Sequence, residues 1–423
     1  MTKLSRAPSA LALVASLLGL TFAGYSTYDY VQHLDRQLHD IHCSFIPGMA
    51  AVSDAESACR VAMYSPYSSI FRESWWGGIP VSLFALGVYA FFAAFAASLL
   101  VGNTRATRHS YRFLGIVACS PLLVSVLMGT ISAVKLGTFC KTCIGLYISS
   151  ALLAVGATWA MVSAKRFQRN AFAAGFTPAQ PPAADATLPD TAPSTMPEGH
   201  PAMFAAWLAL MGACTLLPAW LYVSSLPDYR PKLASCGKLA EVNDKLPLKL
   251  ASAHPKRPAV LFADPLCPTC KALHDRLTTE GVVDNLAISL VLMPLDNSCN
   301  WMLDRAMHPG ACVLSKALIC AESHAREALE WMYANQEELA SLGKSGDALL
   351  RARIRTQFGP TIDGCIDTKQ TQLRLNNQLQ LAVTNQVPVS TPQLYLGDVR
   401  ICDEDTDLGL RYTLGQLAPE VLR

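Results

Sequence analysis

The stretch Pro258-Ala-Val-Leu-Phe-Ala263, followed closely by Cys267-Pro-Thr-Cys270, decides the fold of the second half of the chain. The first segment is a short apolar run of strand length, and the second opens a helix. This strand, turn and helix context turns a bare Cys-x-x-Cys into a redox motif. We therefore predict that Cys267 and Cys270 exchange disulfides within a water-soluble α/β domain.

A second pair, Cys140-Lys-Thr-Cys143, opens an apolar run in the first half of the chain. Apolar residues make up 51% of the 423 residues, which points to a bilayer-embedded part. Each apolar run is near the ~20 residues that a helix needs to cross the hydrocarbon core. The runs are Ser9 to Val31, Gly77 to Val101, Phe113 to Leu136, Phe139 to Val162, and Ala202 to Ser224.

Basic residues between these runs predict the orientation of the bundle. Three clusters fall on one side, which should be cytoplasmic: Lys3 and Arg6, then Arg105, Arg108 and Arg112, then Lys165, Arg166 and Arg169. By alternation, the first loop, the turn before Cys140 and everything after the fifth run lie outside. A cleaved signal peptide is the alternative for the first run, because Thr21-Phe22-Ala23 resembles a processing site.

We expect four parts along the chain. They are a membrane catalytic domain at 1–165, a cytoplasmic linker rich in Pro and Ala at 166–201, a fifth transmembrane helix at 202–226, and an extracytoplasmic domain at 227–423. The net charge of +2 comes without a basic cluster of the nucleic-acid type, so no nucleic-acid partner is expected. Fourteen cysteines favour an oxidising compartment.

The first outer loop carries Cys43 and Cys59, with Ser65 shortly after them and Gly77-Gly-Ile-Pro80 at the start of the second run. A structural disulfide is one interpretation of the two cysteines. The other is a redox pair, because the dithiol that enters the membrane from the same side can exchange disulfides with it.

These features resemble the vitamin K epoxide reductase family, in its bacterial form fused to a thioredoxin-like domain. The resemblance covers about Ser9 to Val162 and also includes Tyr147, one turn after Cys143. It implies that Cys143 lies nearest a quinone, that Cys140 is its exchange partner, and that the loop pair Cys43 and Cys59 shuttles electrons to them. Ser65 and Tyr147 are then candidate quinone contacts.

The soluble half is similar to the DsbA-like members of the thioredoxin fold. Thr391-Pro392 precedes a strand, as in the cis-proline loop of those folds, and a long helix-rich stretch runs before it from Trp301 to Val387. The resemblance implies that Cys267 is the exposed attacking thiol and Cys270 the resolving one. It also implies that Thr391 and Pro392 line the groove that takes the substrate.

Six other cysteines of this half allow fifteen pairings: Cys236, Cys299, Cys312, Cys320, Cys365 and Cys402. Proximity in sequence favours a structural disulfide between Cys299 and Cys312. A metal site would need a second cysteine pair at matching spacing, and the sequence does not supply one cleanly. No metal is expected.

The predicted fold class is an α-helical membrane bundle, with a four-helix core and a fifth linking transmembrane helix, followed by an α/β thioredoxin-like domain with a helical insertion. The expected activity is oxidation of thiols in extracytoplasmic proteins, with ubiquinone or menaquinone as acceptor, by a multi-pass protein of the bacterial inner membrane. Its partners are reduced extracytoplasmic proteins, the quinone pool and the lipid bilayer. A membrane thiol reductase feeding an isomerase, or a non-enzymatic metal-binding protein, are the alternatives.

Overall fold

The computed structural model describes residues 4–32, 34, 59, 61–173, 196–241 and 246–423. These residues form two compact units. The first unit comprises Met1–Ile70 and Gly78–Leu226, and the second comprises Phe71–Gly77 and Pro227–Arg423. Cys43, one of the predicted loop cysteines, lies outside the described residues.

The first unit is a bundle of apolar helices. They are α1 (Ala7–Gln32), α2 (Val81–Gly102), α3 (Arg108–Val117), α4 (Cys119–Ile131), α5 (Lys141–Ala173) and α6 (Ala202–Ser225). Among the described residues, five segments are long and apolar enough to cross a membrane, because α3 and α4 together make one span, Arg108–Leu136. The predicted membrane bundle is confirmed as a fold class.

The fourth span is longer than the sequence pattern indicates. Helix α5 continues past Val162 to Ala173, into the stretch that we expected to be linker. Ala164, Gln168 and Ala171 remain buried along that extension. Packing of this face therefore continues the helix beyond the point where the apolar run ends.

Close helix contacts in the bundle depend on glycine. A Cβ at Gly156 on α5 would lie 2.8 Å from the backbone nitrogen of Ala12 on α1. A Cβ at Gly87 on α2 would overlap the carbonyl oxygen of Cys214 on α6. Small residues at such crossings allow two backbones to approach, which is a common basis of helix association in membranes.

A short hairpin interrupts the first unit before α2. Strand β1 (Ser69–Ile70) pairs antiparallel with β2 (Ile79–Pro80). Gly77 and Gly78 close the loop with φ of 68° and 74°, in the left-handed region that glycine adopts without a steric penalty. This conformation explains why glycine occupies positions 77 and 78 of the Gly-Gly-Ile-Pro stretch. The intervening loop, Phe71–Gly77, belongs to the second unit.

The second unit is built on a five-stranded sheet in the order β3, β5, β4, β6, β7. Its strands are β3 (Leu248–Lys249), β4 (Arg257–Ala263), β5 (Leu286–Leu292), β6 (Gln393–Leu396) and β7 (Val399–Arg400). Strands β4 and β5 run parallel, and β6 runs antiparallel to β4 on its other side. Central strands are covered on both faces, which explains why β4 reads as a continuous apolar run.

Helix α7 (Pro268–Thr279) follows β4, and six helices stand between β5 and β6. These are α8 (Ala311–Cys320), α9 (Ala325–Ala334), α10 (Gln336–Ser345), α11 (Asp347–Phe358), α12 (Pro360–Ile366) and α13 (Lys369–Thr384), and α14 (Leu410–Leu417) follows the sheet. The thioredoxin-like α/β fold with a helical insertion is thereby confirmed.

The sheet separates two apolar clusters. Leu261 of β4 packs into the larger cluster, which also contains Cys267 and Cys270. Its neighbour Phe262 faces the opposite side and packs with Tyr395. This alternation follows from the period of two along a strand, and it seats the dithiol above one buried face.

Three disulfides link the remaining cysteines of the second unit. The predicted pair Cys299–Cys312 is present. The other two bonds, which the sequence left open, join Cys236 to Cys402 and Cys320 to Cys365.

The loop Phe71–Gly77 is held in the second unit by charge and by aromatic packing. Arg72 pairs with Glu280, and the two side chains are only 4% and 1% exposed. Glu280 also accepts a hydrogen bond of 3.0 Å from Arg411, which in turn binds Glu73. Trp76 packs against two tyrosine rings of the same unit.

Candidate functional site

The dithiol of the first unit lies at the start of α5. Cys140 immediately precedes the helix and Cys143 falls in its first turn. Both are free thiols. The Cys140 sulfur is buried and lies 2.9 Å from the Thr142 hydroxyl oxygen. A helix N-terminus favours a thiolate, because its free amides and dipole stabilise negative charge there.

Cys59 approaches this dithiol directly. Its sulfur lies 3.1 Å from the sulfur of Cys140. Cys59 is itself disulfide-bonded, and it and Cys140 are 4% and 6% exposed. A thiol held in contact with a disulfide sulfur is the arrangement from which exchange proceeds, through a mixed disulfide. The structure therefore brings together one loop cysteine and the first cysteine of the membrane dithiol.

A cavity of about 310 Å³ adjoins the three sulfurs. Cys59, Cys140, Cys143, Ser65 and Tyr147 all contribute to its wall. The predicted first-unit site residues thus converge on one space, apart from Cys43, which the structure does not describe. Ser65 is buried, and its hydroxyl donates a hydrogen bond of 2.8 Å to the Ala62 carbonyl.

Several polar residues of the cavity wall escaped the sequence interpretation, among them a hydrogen-bonded group of three. The hydroxyl oxygens of Tyr89 and Ser125 each lie 2.7 Å from that of Ser150. All three line the cavity and come from α2, α4 and α5. A usable signal was present, because polar side chains within membrane spans commonly face a cavity or the bundle interior.

The cavity suits a small, mostly apolar ring that carries oxygen atoms. Its volume falls at the lower end of the ~300–1,000 Å³ range of ligand sites. Apolar side chains such as Val88, Val124 and Leu146 form much of the wall, and hydroxyl groups such as that of Tyr147 supply hydrogen-bond donors. These residues fit a quinone headgroup.

The dithiol of the second unit has two unlike sulfurs. Cys267 is the N-cap of α7, and its sulfur lies 2.9 Å from the Thr269 hydroxyl oxygen. Its hydrogen bond with Cys270 is the largest influence on its pKa, followed by the opposing effect of burial and by the bond with Thr269; together they lower this pKa to about 5. Cys267 is a thiolate at neutral pH, which is the nucleophilic form.

Burial acts most strongly on Cys270. It raises the pKa of this thiol well above the usual value, and the hydrogen bond and negative charge of Cys267 raise it further. The two thiols therefore differ: the pKa of Cys267 is lowered and that of Cys270 is raised. The predicted exposure of Cys267 differs from the structure, in which it is only 4% exposed, because Thr269 and the Thr391 carbonyl lie against its sulfur.

Pairing of β4 with β6 brings the Thr391–Pro392 loop beside the dithiol of the second unit. Phe262, near the end of β4, pairs with Gln393, the first residue of β6. Cys267 follows β4 and Pro392 precedes β6, so both lie at the same edge. The Thr391–Pro392 bond is cis, and the Thr391 carbonyl oxygen lies 3.3 Å from the Cys267 sulfur.

Buried polar groups hold the turn that carries Cys267. The Asp264 carboxylate accepts hydrogen bonds of 2.7 Å from the amides of Leu266 and Leu295, and lies 2.8 Å from the His308 ring nitrogen. The hydrogen bond to Asp264 raises the pKa of His308. Gln336 donates to the carbonyls of Pro265 and Cys267, each at 3.0 Å.

One group of potential metal ligands occurs among the described residues, formed by Cys236, Cys402 and Glu404. Cys236 and Cys402 are joined in a disulfide, so neither offers a thiolate. The grouping therefore gives no support to the metal-binding alternative.

Comparisons with known proteins agree with the family resemblance of the first half. Residues 10–158 match the model of the vitamin K epoxide reductase family. A search of the curated proteins finds no match for this chain.

Among solved structures, the chain is similar to reduced DsbA1 from Neisseria meningitidis, with 18% identity and a TM-score of 0.29 over 43% of this chain and 95% of that one. It is also similar to DsbA from Xylella fastidiosa, with 18% identity and a TM-score of 0.31 over 43% and 97%. Proteus mirabilis ScsC gives 17% identity and a TM-score of 0.26 over 53% and 98%.

Proposed function

We propose that this chain, which carries a domain of the vitamin K epoxide reductase family at residues 10–158, is a membrane thiol oxidase that transfers electrons from protein thiols to a quinone. The 3.1 Å contact between the sulfurs of Cys59 and Cys140, at the wall of a cavity that fits a quinone, supports this proposal most directly. In this proposal, electrons pass between cysteine pairs by thiol–disulfide exchange, which requires no metal.

The reaction starts at the second unit in its disulfide form. A substrate thiolate attacks the Cys267 sulfur, the bond to Cys270 breaks, and Cys270 leaves with the electron pair. The second substrate thiolate then attacks the sulfur of the first, so the substrate gains a disulfide and Cys267 leaves as a thiolate. The low pKa of Cys267 favours this second departure, because thiols of lower pKa leave faster.

The reduced second-unit dithiol next reduces the loop pair Cys43 and Cys59. Cys59 then attacks Cys140 in the oxidised membrane dithiol, and Cys143 leaves as a thiolate at the cavity. Attack by Cys43 on Cys59 releases Cys140 and re-forms the loop disulfide. Each step forms one S–S bond and breaks one, so electrons move in pairs from the substrate to Cys140 and Cys143.

A quinone bound in the cavity supplies a lipid-soluble acceptor of two electrons and two protons. Ser65 and Tyr147 are the proposed polar contacts, and the hydroxyls of Tyr89, Ser125 and Ser150 add to the polar part of the cavity wall. Cys143 is the proposed sulfur nearest to the ring. Ubiquinone and menaquinone share this chemistry, and either satisfies the proposal.

The positive-inside pattern supports a cytoplasmic N-terminus and an extracytoplasmic second unit, in a bacterial inner membrane. In that orientation residues 1–173 form the catalytic membrane domain, 174–201 the cytoplasmic linker, 202–226 the fifth transmembrane helix and 227–423 the periplasmic domain. The substrates are then reduced proteins outside the cytoplasm, where disulfides persist.

Quinone reduction by the purified full chain tests the proposal. A reduced peptide with two cysteines is added anaerobically with a soluble quinone, and quinol formation is followed by absorbance. We expect one quinol for each peptide disulfide, and loss of turnover in Cys143→Ala. Cys119→Ala is the matched control, because Cys119 is also a free cysteine of the bundle but does not line the cavity. Peptide oxidation without quinol formation would contradict the proposal.

A further inference from the structure

Three hydroxyl groups form a hydrogen-bonded chain in the cavity wall of the first unit. The Ser150 oxygen on α5 lies 2.7 Å from the oxygens of Tyr89 on α2 and Ser125 on α4. At one end, the Tyr89 hydroxyl also donates to the Leu146 carbonyl at 3.2 Å. At the other end, Ser125 has no further hydrogen bond among the described residues. The chain therefore has one end fixed on the backbone and one end at the cavity.

This arrangement differs from the bonding of other hydroxyls in α5. Ser149 and Thr158 each donate to the carbonyl four residues earlier, at 2.8 Å. Such a bond satisfies a hydroxyl within its own helix. Ser125 instead meets Ser150 on a neighbouring helix, at a place where both residues line the cavity. The Ser125 hydroxyl is thus within reach of a ligand in that space.

The hydroxyl chain lies further from the membrane dithiol than Tyr147 does. Cys143, Tyr147 and Ser150 are spaced four and three residues apart, which places them on one face of α5. At roughly 1.5 Å per residue, Ser150 stands about 10 Å along the helix axis from Cys143. On α4, a Cβ at Gly129 would lie 3.6 Å from the Tyr147 ring, and Ser125 is one turn away from Gly129. The cavity thus offers polar groups at two levels, one beside the dithiol and one about a turn beyond Tyr147.

We propose that Ser125 binds the quinone oxygen that points away from Cys143, so that the cavity holds a para-quinone by oxygens at both ends of its ring. This inference rests on the quinone-linked function proposed above. In a para-quinone the two oxygens lie on opposite sides of the ring. With one oxygen beside the dithiol and Tyr147, the other extends along α5 toward the hydroxyl chain. A few polar groups placed within an apolar wall fix the orientation of a bound ligand.

The hydroxyl chain suits both redox forms of the ligand. A quinone oxygen only accepts hydrogen bonds, so Tyr89 then donates to Ser150, Ser150 to Ser125, and Ser125 to the ligand. A quinol hydroxyl donates to Ser125 instead. The direction of the chain then reverses, and it ends at the Leu146 carbonyl, which lies within reach of both the Tyr89 and the Ser150 hydroxyls. Each hydroxyl rotates and keeps its own proton, so every short contact is satisfied in both directions and no proton is transferred along the chain.

Binding of 2,3-dimethyl-1,4-naphthoquinone to the oxidised full chain tests this role. The blocked ring carbons do not add thiols, and the disulfide form of the protein does not reduce the quinone, so calorimetric titration in lipid nanodiscs measures binding alone. Ser125→Ala removes the hydroxyl at the cavity end of the chain. Loss of one neutral hydrogen bond should weaken binding by about 2- to 10-fold.

The matched control is Ser149→Ala. Ser149 is a buried serine of α5 next to Ser150, but it bonds its own helix and does not line the cavity. This variant should bind the quinone with wild-type affinity.

An infrared readout separates ligand binding from a structural role of Ser125. Hydrogen bonding lowers the stretching frequency of a carbonyl, and isotope labels in both carbonyls of the quinone identify its bands in difference spectra. In the wild type both carbonyl bands should lie below their positions in an apolar solvent. Ser125→Ala should return one band toward its unbonded position and leave the other, whereas Ser149→Ala should change neither.

Two results would overturn the inference: equal quinone affinity in Ser125→Ala and Ser149→Ala, or unchanged carbonyl bands in Ser125→Ala. Wild-type protein that binds no quinone would instead contradict the proposed function. The two failures are distinguishable, because the first requires a wild-type protein that binds the quinone.

Discussion

The sulfur of Cys59 lies 3.1 Å from that of Cys140, and both are buried beside the cavity of the first unit. Cys59 is the loop cysteine that the structure describes, and its contact is with the first cysteine of the membrane dithiol. In the proposed relay, Cys140 therefore exchanges with the loop pair and Cys143 is the sulfur released at the cavity. The order of exchange in the proposed relay is argued from this contact.

The relay predicts a trapped intermediate between the second unit and the loop pair. In Cys270→Ala the resolving thiol is gone, so a mixed disulfide between Cys267 and Cys43 or Cys59 should persist. Peptide mapping by mass spectrometry under acid quench detects it. Wild-type protein is the control, and finding Cys267 joined only to cysteines of its own unit would count against the relay.

Cys267 reactivity should depend on pH in a characteristic way. The pKa of this thiol is lowered to about 5, so its thiolate is almost fully formed at neutral pH. The rate of alkylation by iodoacetamide should therefore be nearly constant between pH 7 and 8 and should fall about tenfold for each unit below pH 5. A rate that still rises tenfold per unit between pH 7 and 8 would show an ordinary thiol.

The same pKa shift sets the sign of a stability effect in the reduced protein. A thiol pKa that is lower in the folded chain means that the unfolded chain binds more protons between pH 5 and its usual value of 9.0. The contribution from Cys267 is therefore fully present above pH 9, declines as the pH falls, and is lost below about 5. Comparing urea midpoints of the wild type and Cys267→Ser across this range measures it.

The buried pair between Arg72 and Glu280 should stabilise the second unit. Glu280→Gln leaves the guanidinium of Arg72 buried without its counter-charge, and loss of one partner of such a pair costs about 3–5 kcal/mol. Glu338→Gln is the control, because the ion pair of Glu338 with Arg353 is partly exposed. This pair should contribute ~1 kcal/mol or less to the free energy of unfolding. Urea unfolding, followed by alkylation of the buried Cys270, compares them. Equal urea midpoints of unfolding for Glu280→Gln and Glu338→Gln would contradict the prediction.

Residues Pro227 to Arg423, expressed alone in an oxidising compartment, should fold, since that length suffices to bury a core. The fragment lacks Phe71–Gly77, so it should be less stable than the same unit in the full chain, and a peptide of sequence Ile70 to Gly78 should restore stability. It should oxidise one equivalent of a reduced peptide and then stop. Sustained anaerobic turnover without added oxidant would show that the membrane cysteines are not its electron outlet.

Much of this architecture was accessible from sequence because it depends on local pattern. Apolar runs of bilayer length, the strand before Cys267 and the Thr391-Pro392 dipeptide each carry their own signal. The disulfides Cys236–Cys402 and Cys320–Cys365 were not accessible, since they depend on how distant segments pack. Proximity in sequence was enough to predict only the Cys299–Cys312 disulfide.

The functional details that escaped prediction are those that depend on three-dimensional proximity. The contact of Cys59 with Cys140 joins residues 81 positions apart, and spacing alone did not decide which loop cysteine makes it. Likewise, Arg72 resembles a loop charge until its pairing with Glu280 is seen.

Disulfide mapping of Cys143→Ala tests the central claim most directly. Without Cys143, the Cys140 thiol that attacks the disulfide of Cys59 can be released only by the freed Cys43 thiol. A thiol-alkylating reagent present before the quench blocks Cys43, so a Cys59–Cys140 bond should accumulate. The protein is quenched in acid, alkylated and digested, and the cross-linked peptides are identified by mass spectrometry. The account predicts Cys59 joined to Cys140 as the main new disulfide. A Cys43–Cys140 bond in its place, or an unreacted Cys140, would contradict it.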